Sequence, residues 1–207
     1  MRELLILGME VHAGEMAEIV ERVNGARPTW NLLGFIAPEE KSVGKRQNGY
    51  PVLGTSERLP EFPEACLALA YGWPRSLPVP RERLVSLVDP TAFVSRTATI
   101  GVGCVLYPHC FVGLNARIGD EVFCLSGSVI NHDAILEDRV VVASGVSLAG
   151  SVHVEADCYL GQACTVRQEV RIGRGSLIGM GAVVVSDVPP NSVIVGNPGR
   201  RLRDRTS

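Results

Sequence analysis

From Val94 to Val184 every sixth residue is aliphatic or cysteine. The run is Val94, Ile100, Leu106, Val112, Ile118, Cys124, Ile130 and Leu136, then Val142, Leu148, Val154, Leu160, Val166, Ile172, Ile178 and Val184, with no insertion. Two residues before each stands another small or β-branched residue, from Ala92, Ala98, Cys104 and Cys110 through to Ala182. Glycine follows the aliphatic position at 101, 113, 119, 161, 173 and 179. An amphipathic helix repeats its apolar stripe about every 3.6 residues, so a period of six with two inward positions excludes one. Short strands turning corners and stacking coil upon coil meet the pattern, as in a parallel β-helix.

The pattern resembles the left-handed type, in which three hexapeptides close one triangular coil of eighteen residues, and a little over five coils are expected. Cys104, Cys110, Cys158 and Cys164 fall on the small inward position and Cys124 on the aliphatic one. Free cysteine there acts as a small hydrophobe. Cys104 and Cys158 share a face three coils apart, about 14 Å at a strand spacing of ~4.8 Å, too far for a disulfide. A core of small and aliphatic side chains agrees with 22 glycines and only 5% aromatic residues. The net charge of −2 gives no reason to expect nucleic acid or a membrane surface as partner. No apolar run approaches the ~20 residues of a membrane span, and the N-terminal MRELLILGME is too short for a signal peptide, so a cytoplasmic location is expected.

The first ninety residues follow another grammar. ELLILG (3–8), NLLGFI (31–36) and CLALAYG (66–72) are apolar runs of strand length, and AGEMAEIVERV (13–23) has helical periodicity. APEEKSVGKRQNGYPVLG is a polar, glycine-punctuated loop closing on a short strand. Alternating strands and helix predict a small parallel α/β unit, whose ligands gather at the carboxyl ends of the strands: 8–14, 36–38 and 71–75. The expected architecture is a Rossmann-like α/β subdomain over 1–87, followed by an all-β left-handed parallel β-helix over 88–207.

The rhythm is interrupted at VINHDAIL, where Asn131, His132 and Asp133 stand in a row. His132 follows the inward Ile130 by two residues, at a corner, where its ring reaches solvent or a substrate. A carboxylate beside an imidazole stabilises the protonated ring, which suits a base taking a proton from an amine or hydroxyl. Gly150 lies one coil on, where it has no side chain to crowd the ring. Its backbone N–H is expected to stabilise an oxyanion. A corner histidine merely held by hydrogen bonds is the plainer alternative. His153 and His109 are expected on an outer face and a turn; with His132 they occupy different registers, so no zinc site is expected.

Together, Gly8 and His12, LLGFI with GYPVLG, INHDAIL, ASGVSLAG and the closing DVPPNSVIVGNPGRRLR resemble the bacterial sialic acid O-acetyltransferases and the N-acetyltransferases of nucleotide-linked amino sugars. The resemblance covers essentially the whole chain. It implies acetyl-CoA as donor, a homotrimer, and His132 as general base assisted by Asp133. By position it implies donor contacts at Val141, Gly150, Gly161, Gln162, Gly179 and Gly181. Arg200, with Arg201 and Arg203, is placed to meet the CoA phosphates or to form a solvated basic tail. Acceptor contacts are implied at Gly8, Glu10, Val11, His12, Ala37, Gly72 and Trp73.

The chain departs from that family at four places. Glu10 and Val11 stand where glycines are common, Ala37–Pro38 where a pair of acids is common, and Trp73 where an amide usually follows the glycine. Val141 stands where many relatives carry a second histidine near the thioester. The first three fall on the acceptor site, leaving a nucleotide-linked sugar, a free sialic-acid-like sugar and another small metabolite all open. The eroded first loop also admits a catalytically silent binding or assembly module.

Overall fold

A computed structural model describes residues 1–205. The chain divides into two compact units, 1–90 and 91–207. In the first, β1 (Arg2–Leu7), α1 (Glu10–Ala26), β2 (Trp30–Ala37), β3 (Arg46–Gln47), β4 (Tyr50–Thr55) and β5 (Cys66–Leu69) form one layer of sheet with a helix against it. The sheet order is β3-β4-β2-β1-β5. β1 runs parallel to β2 and β5, and β2 parallel to β4. The central β1 carries Leu4, Leu5, Ile6 and Leu7, all fully buried, as an unbroken apolar run in a covered parallel strand should be. α1 turns Ala13, Met16, Ala17, Ile19 and Val20 inward. The hairpin joining β3 to β4 is antiparallel and turns at Asn48 and Gly49, both with positive φ (46° and 79°), which an Asn-Gly pair tolerates well.

The second unit is a left-handed parallel β-helix of two-residue strands, from Phe93–Val94 to Val183–Val184. Strand pairs lie eighteen residues apart: Phe93 beside Phe111, Phe111 beside Val129, Val129 beside Ser147. This is the expected coil length. Ile130, Leu148, Val166 and Ile172 are wholly buried inside it. Each corner needs one residue in the left-handed backbone region, and these fall at every sixth position from Gly103 to Gly181. Nine of those positions, including His109, Asn115, Asp133, Arg139 and Ser151, are not glycine, so the period survives side chains that resist that conformation.

Three corners per coil make three vertical columns. One contains Gly113–Asn115, Asn131–Asp133 and residues 149–151; a second contains 125–127, 143–145, Gly161–Ala163 and 179–181; the third contains 119–121, 137–139, 155–157 and 173–175. The coil continues into Ser192–Val195, on which Arg200–Asp204 folds back antiparallel. Cys104, Cys110, Cys124, Cys158 and Cys164 are all buried free thiols. Burial pushes Cys158 up to about 11 and Cys164 to about 12. Among the described residues no helix is long and apolar enough to cross a membrane.

Candidate active site

Ile130 anchors its strand in the core, and the next three residues turn the corner with Asp133 at φ 58°. That turn projects His132 outward, its side chain 53% exposed, and swings Asp133 back onto it. His132 Nδ1 lies 2.8 Å from Asp133 Oδ2. The opposite edge of the ring rests on Gly150: a Cβ built there would sit 2.5 Å from both Cε1 and Nε2 of His132. Gly113 closes the stack from below, where a Cβ would meet the His132 backbone nitrogen at 2.8 Å. The Gly150 N–H has no acceptor among the described residues, whereas its carbonyl is taken by Glu169 N–H. Asn131 Nδ2 donates to Leu148 O at 2.9 Å, tying the corner to the following coil.

Hydrogen bonds from His132 and then Asn115, together with the positive charges of His132 and Arg117, hold the Asp133 carboxyl below the usual carboxylate range. Asp133 is therefore an anion throughout the neutral range. With Nδ1 facing it, the ring is set to carry its proton there and leave Nε2 with a lone pair, at a corner open to solvent. An imidazole held in this way can accept a proton at Nε2.

The residues expected to bind a thioester donor divide between corners. Gly150 shares the His132 column, whereas Gly161, Gln162, Gly179 and Gly181 lie on the second column, one flat face away. Val141 is half-buried on the strand leading into that second corner. Arg200 is exposed on the terminal antiparallel strand with Arg201 and Arg203; Arg201 pairs with Asp204. His153 Nε2 is held 2.9 Å from Glu137 Oε1.

At the carboxyl edge of the α/β sheet the structure gathers Gly8, His12, Ala37 and Gly72. Gly8 N–H donates to Ile36 O, and a Cβ at Gly8 would come within 2.5 Å of the Ala70 Cβ. Tyr71 stands edge-on to His12 with ring centroids 5.6 Å apart, and His12 Nδ1 lies 3.3 Å from Glu15 Oε2. Ala37 is fully buried. Trp73 is half-buried and donates its indole N–H to Leu77 O at 3.0 Å. The stretch before the helix is shorter than expected, because α1 already starts at Glu10 and not at Ala13. A carboxylate in the first helical turn favours that start. Glu10 N–H is bonded to Gln47 Oε1, and Gln47 Nε2 donates back to Glu10 O, so the β3–β4 hairpin clasps the helix start. Val11 is left exposed beside it.

No family model matches the sequence. The acetyltransferase domain of PglB from Neisseria gonorrhoeae FA1090 superposes with a TM-score of 0.84 at 26% identity, covering 98% of this chain and all of that one. The same domain is known in complex with acetyl coenzyme A, with 97% of this chain and 99% of that one aligned. The chain is similar to that acetyltransferase domain from end to end. GDP-perosamine N-acetyl transferase from Caulobacter crescentus shares the fold at a TM-score of 0.85 and 24% identity, over 97% of both chains. Among curated sequences, an acyl-[acyl-carrier-protein]–UDP-N-acetylglucosamine O-acyltransferase from Synechocystis is 33% identical over 88 residues, 42% of this chain and 32% of its own length. The chain thus spans about a third of the curated relatives it matches.

Three residues of these sites escape a linear reading. Asn115 meets Asp133 only because residues eighteen apart stack, a signal the period itself contains. The same arithmetic separates Gly161, Gln162, Gly179 and Gly181 from His132. Gln47 and Tyr71 carry no such signal, since only the folded sheet brings them to Glu10 and His12.

Proposed function

We propose that the protein is an acetyl-CoA-dependent acetyltransferase acting on an amine or hydroxyl of a sugar or sugar-like acceptor. The observation that carries this reading is the His132–Asp133 pair, with His132 Nε2 lying over a side-chain-free Gly150 at an open corner. His132 Nε2 takes the proton from the acceptor amine or hydroxyl as that group attacks the thioester carbonyl. Asp133 keeps Nδ1 protonated and stabilises the imidazolium that results. The Gly150 N–H, with its hydrogen bond unspent, donates to the oxygen on which negative charge develops. The imidazolium then returns its proton to the departing thiolate. Transfer is direct: buried thiols with raised pKa values offer no nucleophile for a covalent acyl-enzyme.

The acetyl-CoA complex of the Neisseria domain supports the choice of donor. The placement of the donor residues on a second corner supports a site completed between copies of the chain, as in a homotrimer. Thiol release from acetyl-CoA across a panel of amino sugars, their nucleotide-linked forms and free sialic acids tests the reading. Turnover with one acceptor, lost in His132→Ala, is the expected result; silence with no donor binding would overturn it.

Within that reading the acceptor edge favours a free sugar over a nucleotide-linked one. A helix start binds phosphate through vacant N–H groups and its positive dipole end. Here Glu10 places a carboxylate in the first turn and its N–H is already bonded to Gln47. Calorimetric titration with UDP and GDP is expected to show no binding, and micromolar affinity for either would reverse the preference.

A further inference from the structure

We infer that Asn115 is a positioning residue for the base, aligning the Asp133 carboxylate so that His132 presents Nε2 unprotonated. The inference rests on the acetyltransferase reading only for its effect on turnover; its structural part stands on the corner column alone.

Asn115 lies one coil before Asp133, and both adopt the left-handed conformation with φ 58°. Asn115 Nδ2 donates to Asp133 Oδ1 at 3.1 Å, while Asp133 Oδ2 faces His132 Nδ1 at 2.8 Å. The two oxygens of one carboxylate are thus engaged from opposite sides. Asp133 N–H also donates to Leu114 O at 2.8 Å, so backbone and side chain of the acid are both tied to the coil below. Asn115 is tied to the coil below through its backbone: its N–H donates to Thr97 Oγ1 at 2.9 Å, and Thr97 Oγ1 is 3.2 Å from Ser95 Oγ. The result is a ladder from Thr97 through Asn115 and Asp133 to His132.

The ladder matters because the base is exposed. His132 and Asp133 are 53% and 50% accessible, and an exposed ion pair by itself is weak because two mobile side chains must be held in one arrangement. Among the described residues no second carboxylate or packed ring braces this pair. Asn115 removes the rotation of the carboxylate plane that would otherwise let Oδ2 swing away from Nδ1. A neutral imidazole whose Nδ1–H has a fixed acceptor keeps the Nδ1–H tautomer, with Nε2 as the base. The rival account is that asparagine occurs at 115 only because it tolerates the left-handed backbone.

Asn115→Gly separates the two accounts, since glycine keeps that backbone at no steric cost while deleting the amide. The readout is the tautomer of His132 in 15N-histidine-labelled full-length protein at a pH where the ring is neutral, its signals assigned by their absence in His132→Gln. The wild type should show Nε2 mostly unprotonated, and Asn115→Gly should move toward the mixture of an unconstrained imidazole. Turnover should fall between about threefold and tenfold, part of what a general base contributes, with the KM for acetyl-CoA unchanged. The isosteric Asn115→Asp replaces the donor by a second carboxylate and should give the same tautomer shift should the glycine variant lose its fold. A wild-type tautomer in both variants, or no Nδ1–H preference in the wild type, would overturn the inference. A tautomer shift in an enzyme without acetyl transfer would refute the function and leave the positioning intact.

Discussion

A Cβ at Gly150 would lie 2.5 Å from the His132 ring, so a side chain there must push the ring aside. Gly150→Ala is therefore expected to abolish turnover by displacing the base, although alanine retains the backbone N–H that would meet the oxyanion. Structure determination of that variant should show the ring rotated off Asp133; a ring left in place with turnover intact would remove Gly150 from the mechanism. Asp133→Asn keeps the shape but loses the charge that stabilises the imidazolium, and a fall in kcat of roughly 10- to 100-fold is expected. The sign of the pH effect follows from the lowered carboxyl. A depressed pKa in the folded state stabilises above the ordinary carboxylate value of ~3.9 and is lost only as pH falls through the lower folded value. Asp133 therefore stays ionised between pH 5 and 7, and a loss of activity in that window is not its protonation.

At the scale of the element, the hexapeptide made the coil legible because it encodes both the inward positions and the corners. The same repeat fixes where strain sits. Ala163 adopts φ 57° without a side chain that can bond to its own backbone. Since the left-handed conformation costs an L-residue about 1–2 kcal/mol and glycine's added entropy offsets part of that, Ala163→Gly should stabilise by roughly 0.5–1 kcal/mol in denaturant unfolding. In the α/β unit the strands were legible as apolar runs, but the start of α1 was not. Helical periodicity in the sequence begins at Ala13, whereas Glu10, Val11 and His12 join the helix because the first turn favours an acid and because Gln47 of the β3–β4 hairpin secures Glu10. That contact spans 37 residues and has no local trace.

At the scale of the molecule, a β-helix must end somewhere, and its last coil leaves unpaired edges. Here Arg200–Asp204 folds back on Ser192–Val195, and Arg205 Nη1 reaches the carbonyls of Asp157, Gly175 and Ser176 at 3.2–3.3 Å. Arg205→Ala is expected to cost about 1–2 kcal/mol and to raise hydrogen exchange first in residues 192–204. The grouping of the site is also a property of the whole molecule. Residue types near His132 could be read from the chain, but their assignment to one corner or another depends on position within an eighteen-residue turn. That is why His132 and Asp133 were legible as neighbours, while the bond from Asn115 needs the eighteen-residue stacking and Gly161, Gln162, Gly179 and Gly181 fall on a second corner.

His132 is proposed as the base for acetyl transfer from CoA. Its most direct test compares acetyl-CoA binding and the turnover rate in the wild type and in His132→Ala, with the best acceptor from the sugar panel. Unchanged binding and a rate lower by about 10²–10⁴-fold are expected. Equal rates in the two proteins would contradict it.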